Sequence, residues 1–356
     1  MEDGETMEFK TVMPRAEAFL REHVRSGGAG SVAVSLGDGT GERWRFFAGG
    51  PEGGAQNGKT LYDMMSVTKI LVTAPLFHIA MEEGLVSPDD PLGRYFPEAP
   101  ADKAGIPLWM LLSHCSGLPG RIDFPWPVGP EKREEGIRFQ LSQKLLFAPG
   151  TQYFYSCTGF VLLGFLLERV WNAPLDQLFE EKIAAPLGLS DTCYRPREKT
   201  NIVKATVKKD AGLVRCSDPF NRSLYGVSGN AGVFSCLDDM SRFACSLLRG
   251  HPDLMRRETF ELAARDRTPS LSLGRALGYV YADGRYGQGG GLYSDGTVGH
   301  TGFSGTECFA DRKQGFFLVS LSNTSLYTAI RKQNCTAACA AFREGLHRAI
   351  KADLEE

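Results

Sequence analysis

Apolar and polar positions follow a helical period at the front of the chain and a strand period just after it. Apolar side chains recur at helical spacing from Val12 to Val24, which predicts an amphipathic helix. Two strand-like runs follow, Ser31 to Leu36 and Arg43 to Ala48. The turn Gly37-Asp38-Gly39 between them predicts a β-hairpin. A long apolar segment from Ser66 to Glu83 ends at a glycine, so it predicts a buried helix.

The middle of the chain has the pattern of helices separated by loops that are rich in Pro and Gly. Pro107 to Leu112 and Gly159 to Trp171 are apolar stretches with helical spacing. Ser235 and Asp238 have the spacing of a capping box, which predicts the start of a helix over Leu237 to Leu248.

Strand patterns return near the end of the chain. They cover Ala276 to Ala282, Thr306 to Ala310 and Gly315 to Ser322, and the short turn Asp311 to Gln314 between the last two predicts a second hairpin. A terminal helix is predicted from Asn334 to Ile350.

Strands at both ends of the chain therefore enclose a helical insert. This order predicts an α+β fold, in which one antiparallel sheet is assembled from both termini and is flanked by helices. We expect residues 1–85 and 265–356 to form this α/β part and residues 86–264 to form a mainly helical lobe. A cleft between two such lobes is a natural substrate site.

Composition excludes several classes of function. The 356 residues are 42% apolar and 23% charged, as in an ordinary globular protein. The formal net charge of −2 gives no basic surface for nucleic acid, and no apolar run approaches the roughly 20 residues of a membrane helix. The acidic start, Met1 to Lys10, does not resemble a secretory signal. The chain has nine cysteines without paired spacing, which is typical of free thiols in the cytoplasm. Two of them, Cys335 and Cys339, are expected to be core residues.

One segment matches a phosphate-binding loop letter for letter. Gly53 to Thr60 reads G-G-A-Q-N-G-K-T, the pattern G-x-x-x-x-G-K-[ST]. That pattern binds phosphate only when a strand runs into it and a helix begins at its Lys-Thr pair. Here Pro51 precedes the segment and the residues after Thr60 look extended. A flexible glycine loop is therefore the better interpretation.

A second motif, Ser66-Val67-Thr68-Lys69, lies at the start of the predicted buried helix. Residues three apart share a helix face, so the Lys69 amine can approach the Ser66 hydroxyl. Burial disfavours the charged form of a lysine, and a neutral amine can accept the serine proton. Backbone N–H groups at a helix N-terminus can stabilise an oxyanion. Taken alone, the motif fits a capping serine beside an exposed lysine better.

Two further segments complete a pattern. Pro149 to Gly164 contains Y-S-C at Tyr155 to Cys157, and Gly299 to Thr306 reads G-H-T-G-F-S-G-T. With Ser66 to Lys69 these resemble, in order, the S-x-x-K, Y-x-N and K-T-G or H-T-G motifs of class C β-lactamases and their esterase and peptidase relatives, which share the β-lactamase/transpeptidase fold. Leu111 to Leu118 and Val227 to Ser235 are also similar to segments of that family.

The resemblance implies a role for each matched residue. Ser66 attacks an ester or amide carbonyl and carries the acyl group, while Lys69 and Tyr155 share the proton transfers. His300, Thr301 and Gly302 line the cleft on an edge strand, and the backbone N–H groups of Ser66 and Phe303 form the oxyanion hole. This chemistry requires no metal or organic cofactor, and the expected partner is a small-molecule acyl substrate.

The sequence departs from the family at two positions. Cys157 stands where Asn is usual, and His300 stands where the lactamases more often have Lys. The first change removes an amide that contacts substrate, and the second removes a fixed positive charge for a substrate carboxylate. Both favour an esterase or acyltransferase acting on small esters or amides, and the start that does not resemble a secretory signal favours an intracellular one. A D-amino-acid peptidase or amidase, a weak β-lactamase, and a catalytically silent binding protein on the same fold are the alternatives.

Aromatic residues suggest an apolar substrate pocket. Phe124 and Trp126 lie in a proline-stiffened loop, and Tyr225 precedes a family segment. A glycine-rich stretch from Tyr286 to Tyr293 can line the cleft as well. Exposed aromatic side chains of this kind form broad apolar pockets, although each one can equally anchor a loop.

Overall fold

The computed structural model describes residues 11–50, 56–196, 201–204, 216–271, 274–282 and 291–356. Gly53 to Ala55 of the candidate phosphate loop and Tyr286 to Gly290 of the glycine-rich stretch lie outside the described residues. Thr60, which ends the candidate loop, is followed by a bridge and a short strand rather than a helix. The helix that a phosphate-binding loop requires therefore does not begin there.

The strands form two sheets. Their bounds are β1 Ser31–Asp38, β2 Gly41–Gly49, β3 Tyr62–Asp63, β4 Cys193–Tyr194, β5 Val233–Ser235, β6 Val280–Tyr281, β7 Val298–Thr301, β8 Glu307–Asp311 and β9 Phe316–Ser322. The larger sheet has the order β2-β1-β9-β8-β7-β6, and the smaller one has the order β3-β5-β4. Every pair of neighbouring strands is antiparallel.

Helices surround the larger sheet. Many of them belong to the part of the chain that connects its N-terminal strands to its C-terminal strands. Their bounds are α1 Pro14–Arg25, α2 Ala74–Glu82, α3 Ala101–Ala104, α4 Leu108–Leu112, α5 Arg133–Leu141, α6 Cys157–Trp171, α7 Leu175–Phe179, α8 Ala185–Leu187, α9 Pro219–Ser223, α10 Leu237–Leu248, α11 Arg257–Ala263, α12 Thr324–Ile330 and α13 Cys335–Leu354. Among the described residues, none of these helices has both the length and the apolar character needed to cross a bilayer.

The two ends of the chain meet in the larger sheet, as the sequence predicts. β1 pairs with β2 on one side and with β9 on the other, and Val34 lies opposite Ser320. Alternate residues of β1 face opposite layers: Val32 and Val34 pack with α1 and α13, whereas Ala33 belongs to the core that includes α10. The predicted α+β fold and both predicted hairpins are thereby confirmed.

Helix α10 packs directly on the sheet strands β1, β8 and β9. Its buried apolar residues, Met240, Phe243 and Leu247, join the core that contains Ala33 of β1. In sequence, α10 lies within residues 86–264, which are predicted to form the helical lobe. In space, however, it covers the larger sheet. The division of the chain into lobes at residues 85/86 and 264/265 stays a prediction.

The segment from residue 65 to residue 82 is not one uniform helix. It begins with a 3₁₀ turn at Met65–Val67, continues as a π-helical turn at Lys69–Thr73 and becomes regular in α2. Pro75 explains the change, because proline has no N–H to donate to the carbonyl four residues earlier. The Ala74 N–H instead donates to the Lys69 carbonyl five residues back, which closes the wider turn.

Three local predictions are wrong in detail. Ser235 does not cap α10, because Cys236 is its N-cap and the Ser235 hydroxyl bonds to Thr192 within the small sheet. The predicted strand from residue 276 shrinks to β6, since Gly278 has a positive φ of 92° that breaks the extended backbone. β7 is not an edge strand, although β6 covers only its first two residues and leaves His300 beyond the pairing.

Candidate active site

Ser66 and Lys69 lie side by side at the start of the buried segment. The Lys69 Nζ is 3.1 Å from the Ser66 Oγ and donates to the Asn230 carbonyl oxygen at 2.8 Å. Lys69 is fully buried, whereas Ser66 is half-buried and is the most accessible residue of the run from Leu61 to Ala80. The three-residue spacing therefore places an amine beside a hydroxyl that substrate can reach.

The backbone just before Ser66 is held in an unusual conformation. Met65 has a positive φ of 48°, which costs a non-glycine residue about 1–2 kcal/mol. The buried Asp63 carboxylate stabilises this turn, because it accepts from the Met65 N–H at 3.0 Å. Its second oxygen accepts from the Ser217 N–H and hydroxyl at 2.9 and 3.1 Å. Burial raises the pKa of Asp63, and these donors oppose that shift.

The aromatic ring of Tyr155 lies next to this pair. Its centroid is 5.1 Å from the Lys69 Nζ and 6.1 Å from the His300 ring. Tyr155 lies in the loop before α6, whose first turn is capped by the Ser156 hydroxyl accepting from the Gly159 N–H at 3.0 Å. The helix start therefore fixes the position of the tyrosine that precedes it.

His114 holds in place the loop before α6 that contains Tyr155. Its Nδ1 accepts a hydrogen bond from the Ser156 N–H at 3.0 Å, and its ring centroid lies 4.4 Å from that of Tyr155. Burial, together with the positive charges of Arg275 and Lys69, holds the pKa of His114 well below its usual value. The imidazole is neutral, which is the state that an accepting Nδ1 requires.

The turn after β7 closes the site on its other side. The Ser304 hydroxyl donates to the Asp63 carbonyl at 3.2 Å, and the Gly302 N–H donates to the Thr306 carbonyl at 2.8 Å. Gly302 packs so closely on the segment before Ser66 that a Cβ there would lie 2.8 Å from the Met64 carbonyl oxygen. Glycine is thus required where the sheet meets the segment that contains Ser66.

His300 is buried and neutral. Its Nδ1 lies 2.7 Å from the Thr301 carbonyl, and since a carbonyl only accepts, Nδ1 carries the proton and Nε2 presents a lone pair. Burial and the positive charge of Lys69 hold the pKa of His300 well below its usual value. The residue that replaces the more usual lysine therefore brings no positive charge to the site.

The predicted oxyanion donors lie on the two segments that meet here. Ser66 is in the first turn of its helix, and Phe303 is in the turn whose Gly302 packs on Met64 and Met65. The Phe303 side chain is 54% exposed. The role of these two N–H groups, like the catalytic roles of Ser66, Lys69 and Tyr155, stays a prediction.

Cys157 contributes a neutral thiol next to the lysine. Its Sγ is 3.8 Å from the Lys69 Nζ, and burial raises the pKa of the thiol. A thiol is a weaker hydrogen-bonding group than the amide that the family motif has at this position. Position 157 therefore keeps a small side chain but lacks the full hydrogen-bonding capacity of the amide.

The aromatic residues predicted to line the pocket have different surroundings. Phe124 is buried and packs on Phe139 with ring centroids 5.7 Å apart, and Trp126 packs on the same ring at 5.4 Å. Tyr225 is 56% exposed and borders a cavity of about 650 Å³ on the helical segment together with Tyr194. Ser66, Lys69 and Tyr155 are not among the residues that line this cavity. A substrate role for the three aromatics stays a prediction.

Several residues at the site were not singled out from the sequence. Asn230 lies in a family-like segment, but nothing in its pattern shows that its backbone carbonyl, rather than its side chain, contacts Lys69. Asp63 is an isolated acidic residue, and His114 is one of six histidines. A buried Arg275, whose guanidinium donates to the Tyr153 hydroxyl, is far away in sequence. Only tertiary structure brings these groups together.

One group of possible metal ligands exists among the described residues, formed by Asp191, Cys236 and Asp239. The Asp239 Oδ2 already accepts from the Asp191 N–H, the Thr192 N–H and the Thr192 hydroxyl, each at 2.8 Å. This carboxylate thus anchors the loop before β4. Burial raises the pKa of the Cys236 thiol, which opposes the thiolate that a metal needs.

Comparison with known proteins shows the family and the fold of the chain. The sequence model of the family described as Beta-lactamase matches residues 16–336. An Escherichia coli (strain K12) protein provisionally named as a D-alanyl-D-alanine carboxypeptidase is 29% identical over 302 residues, which are 74% of this chain and 69% of the relative.

Two solved structures have the same fold. The hydrolase EstCE1, described as having promiscuous acyltransferase activity, has a TM-score of 0.74 at 21% identity, over 94% of this chain and 97% of that one. The simvastatin synthase LovD from Aspergillus terreus has a TM-score of 0.72 at 20% identity, over 95% and 97%. Because the family match extends over most of the sequence, the chain belongs to the Beta-lactamase family of serine hydrolases.

Proposed function

We propose that this member of the family is an esterase or acyltransferase that works through an acyl-Ser66 intermediate on small esters or amides with an apolar part. The observation that carries the proposal is the 3.1 Å separation of the Lys69 Nζ and the Ser66 Oγ. The Tyr155 ring beside the same amine supports it. Proton transfer requires such hydrogen-bond reach.

The proposed reaction has two halves. In the first, Ser66 Oγ attacks the substrate carbonyl and loses its proton to the Lys69–Tyr155 pair, and the leaving alcohol or amine takes that proton from the same pair. In the second, water or an acceptor alcohol attacks the acyl group, and the same pair removes the attacker's proton. The pair returns this proton to Ser66 Oγ as the bond between the acyl group and Oγ breaks. Hydrolysis and transfer differ only in which nucleophile enters, so access of water decides between them.

Two features of the site favour ester substrates over lactams. Cys157 supplies no amide to hold the acyl-amide of a lactam, and its thiol is neutral. His300 is also neutral, so position 300 offers no fixed charge for the carboxylate of such an antibiotic. The fold shared with EstCE1 and LovD is compatible with the acyltransferase alternative.

A D-amino-acid peptidase is the second candidate, and one observation favours it. Arg275 is fully buried near the site, and its positive charge contributes to the lowered pKa of His300. A cation in this place can attract the terminal carboxylate of a peptide. The relative from E. coli with the provisional carboxypeptidase name is consistent with that substrate class.

We also propose that the protein acts in the cytoplasm, since the nine cysteines, including those near the surface, are not joined in disulfides. Separation of cell extracts into cytoplasmic and extracytoplasmic fractions, with detection of the chain by antibody, tests this. Recovery outside the cytoplasm would contradict it.

Intact mass after exposure to a panel of aryl esters tests the acyl-enzyme directly. We expect a mass increase of one acyl group that Ser66→Ala abolishes and that the exposed control Ser142→Ala retains. Lys69→Met should slow acylation by about 10²–10⁴-fold. Label on Ser66→Ala would refute the assignment of the nucleophile.

The same panel separates the remaining candidates. Turnover of aryl esters, but not of D-alanyl-D-alanine peptides or lactams, supports the esterase. Acyl product on an added alcohol supports the acyltransferase. No acylation by any donor, with the protein folded, would support the silent binding protein instead.

A further inference from the structure

A row of polar residues on α13 lies against the turn after β7, on the side away from Ser66. Cys335, Cys339, Arg343 and His347 are spaced four apart, so they share one face of the helix. The Sγ atoms of the first two are 3.8 Å apart. Both thiols also contact the Phe303 carbonyl, at 3.7 and 3.5 Å. Neither cysteine is used by the proposed acyl transfer.

We propose that Cys335 and Cys339 form a peroxide-sensitive thiol pair, whose oxidation to a disulfide displaces the Phe303 turn and lowers the rate of acylation. The modification site goes beyond the proposed function, and only its effect on rate rests on that function.

Cys335 has the surroundings of a reactive thiol. It is half-buried and is the first residue of α13, where helix N–H groups stabilise an anion. The hydrogen bond from the Cys339 thiol lowers the pKa of Cys335 to about 6, and Arg343 acts in the same direction. Burial instead raises the pKa of other thiols, namely those of Cys115, Cys157, Cys216, Cys236, Cys245 and Cys308. Peroxide should therefore select Cys335.

The chemistry balances with hydrogen peroxide as the oxidant. The Cys335 thiolate attacks one peroxide oxygen and the O–O bond breaks, which leaves a sulfenic acid and, after protonation, one water. The Cys339 sulfur then attacks the Cys335 sulfur, an S–S bond forms, and a second water leaves. Two thiols are oxidised by two electrons, and the peroxide is reduced to two waters.

Closing this bond changes the shape of the helix start. A disulfide needs Cβ atoms about 3.5–4.5 Å apart, whereas residues four apart on a helix have Cβ atoms about 5–6 Å apart. The first turn of α13 must therefore unwind, and both sulfur atoms move away from the Phe303 carbonyl. The next residue in that turn, Ser304, contacts the Asp63 carbonyl, so the displacement reaches the segment that holds Ser66.

Peptide mapping tests the site without any use of activity. Both cysteines fall in one tryptic peptide, Gln333 to Arg343, so their disulfide is internal to it. After peroxide and then alkylation, we expect this peptide unalkylated and about 2 Da lighter than its free dithiol form. Cys335→Ser and Cys339→Ser should each prevent the loss, while the control Cys245→Ser should not. Two alkyl groups on the peptide after peroxide, or a sulfinic acid without disulfide, would overturn the proposal.

The rate of acylation by an aryl ester tests the consequence. We expect oxidised protein to acylate at least about 10-fold more slowly, because loss of one oxyanion donor costs about 10²–10³-fold. Dithiothreitol should restore the rate, and Cys335→Ser should keep its rate in peroxide. A disulfide that forms with no change in rate would overturn the link to Phe303. Absence of acylation even in the reduced protein would instead count against the proposed function, while the peptide result would stand.

Discussion

Replacing Gly302 with alanine probes the contact between the sheet and the segment that contains Ser66. A Cβ at this buried position would lie 2.0 Å from the Thr306 Oγ1 and 2.8 Å from the Met64 carbonyl oxygen. The first is a side-chain atom that can rotate away. The second is backbone, two residues before Ser66. Relief of that clash requires the turn and the segment that contains Ser66 to move apart.

The magnitude follows from the size of that movement. An ordinary carbon–oxygen contact is about 3.4 Å or longer, so the segments must separate by about half an ångström or more. Overpacking of this kind costs about 1–3 kcal/mol of folding free energy. Misplacement of a reacting group by about 1 Å can reduce the rate by 10²-fold. We therefore expect Gly302→Ala to acylate about 10–100-fold more slowly while it remains folded.

Stopped-flow acylation by an aryl ester, together with urea unfolding, separates the two effects. Gly105→Ala is the matched control, because nothing lies within 4 Å of a Cβ there, and it should leave the rate unchanged. In the double variant Gly302→Ala/Thr306→Ala only the side-chain clash is removed, so the rate should stay low. Full recovery in the double variant, or a wild-type rate in Gly302→Ala, would refute the argument that Met64 is displaced.

Two further predictions concern groups around the site, and a third concerns His78, a buried histidine of α2. Asp63→Asn should lower the free energy of unfolding by about 1–3 kcal/mol and slow acylation, because an amide NH₂ cannot accept from Ser217; unchanged urea unfolding would contradict this. His114→Leu removes the acceptor for the Ser156 N–H and should reduce kcat, whereas His114→Asn, whose Oδ1 can accept, should recover part of it; equal rates in both variants would argue against the hydrogen bond. Burial lowers the pKa of His78 to about 4. The His78 imidazole therefore stays neutral in the folded state, whereas in the unfolded state it is protonated below about pH 6.5. Urea unfolding between pH 7 and 4.5 should show stability falling from this group, most steeply near pH 5 at about 1 kcal/mol per pH unit, and His78→Gln should reduce that slope.

Local patterns predicted the outer framework of the molecule well. The hairpin of β1 and β2 follows from alternation around a tight glycine turn, and α13 begins one residue after the predicted Asn334, whose side chain accepts from Ala337 N–H. These features depend on neighbours within a few residues. The approach of the Lys69 amine to the Ser66 hydroxyl is also a local relation, between residues three positions apart on one helix face. The motif itself was singled out only because it occurs together with the segments around Tyr155 and His300.

Non-local features escaped the sequence. The small sheet joins two- and three-residue strands, β3, β4 and β5, that come from distant parts of the chain, and strands so short leave no periodic signal. The capping interpretation of Ser235 was wrong because its hydroxyl has a tertiary partner, Thr192, that outweighs the local one. The residues that support Tyr155 and Ser66 were not predicted either. Asp63 has no motif of its own, and His114 lies in the family-like segment Leu111 to Leu118, whose pattern does not show its contact with Ser156.

The strand order of the larger sheet also has a consequence for how the chain folds during its synthesis. β1 is an early strand, yet it lies between β2 and β9, and β9 ends only at Ser322. A growing chain on the ribosome holds Ser66 and Lys69 long before the turn at Phe303 exists. Contacts of such long sequence separation form late and slowly. Fragments that end before β7 therefore contain Ser66 and Lys69 but lack β7, β8 and β9 of the larger sheet, and we expect no acylation of such fragments by an aryl ester.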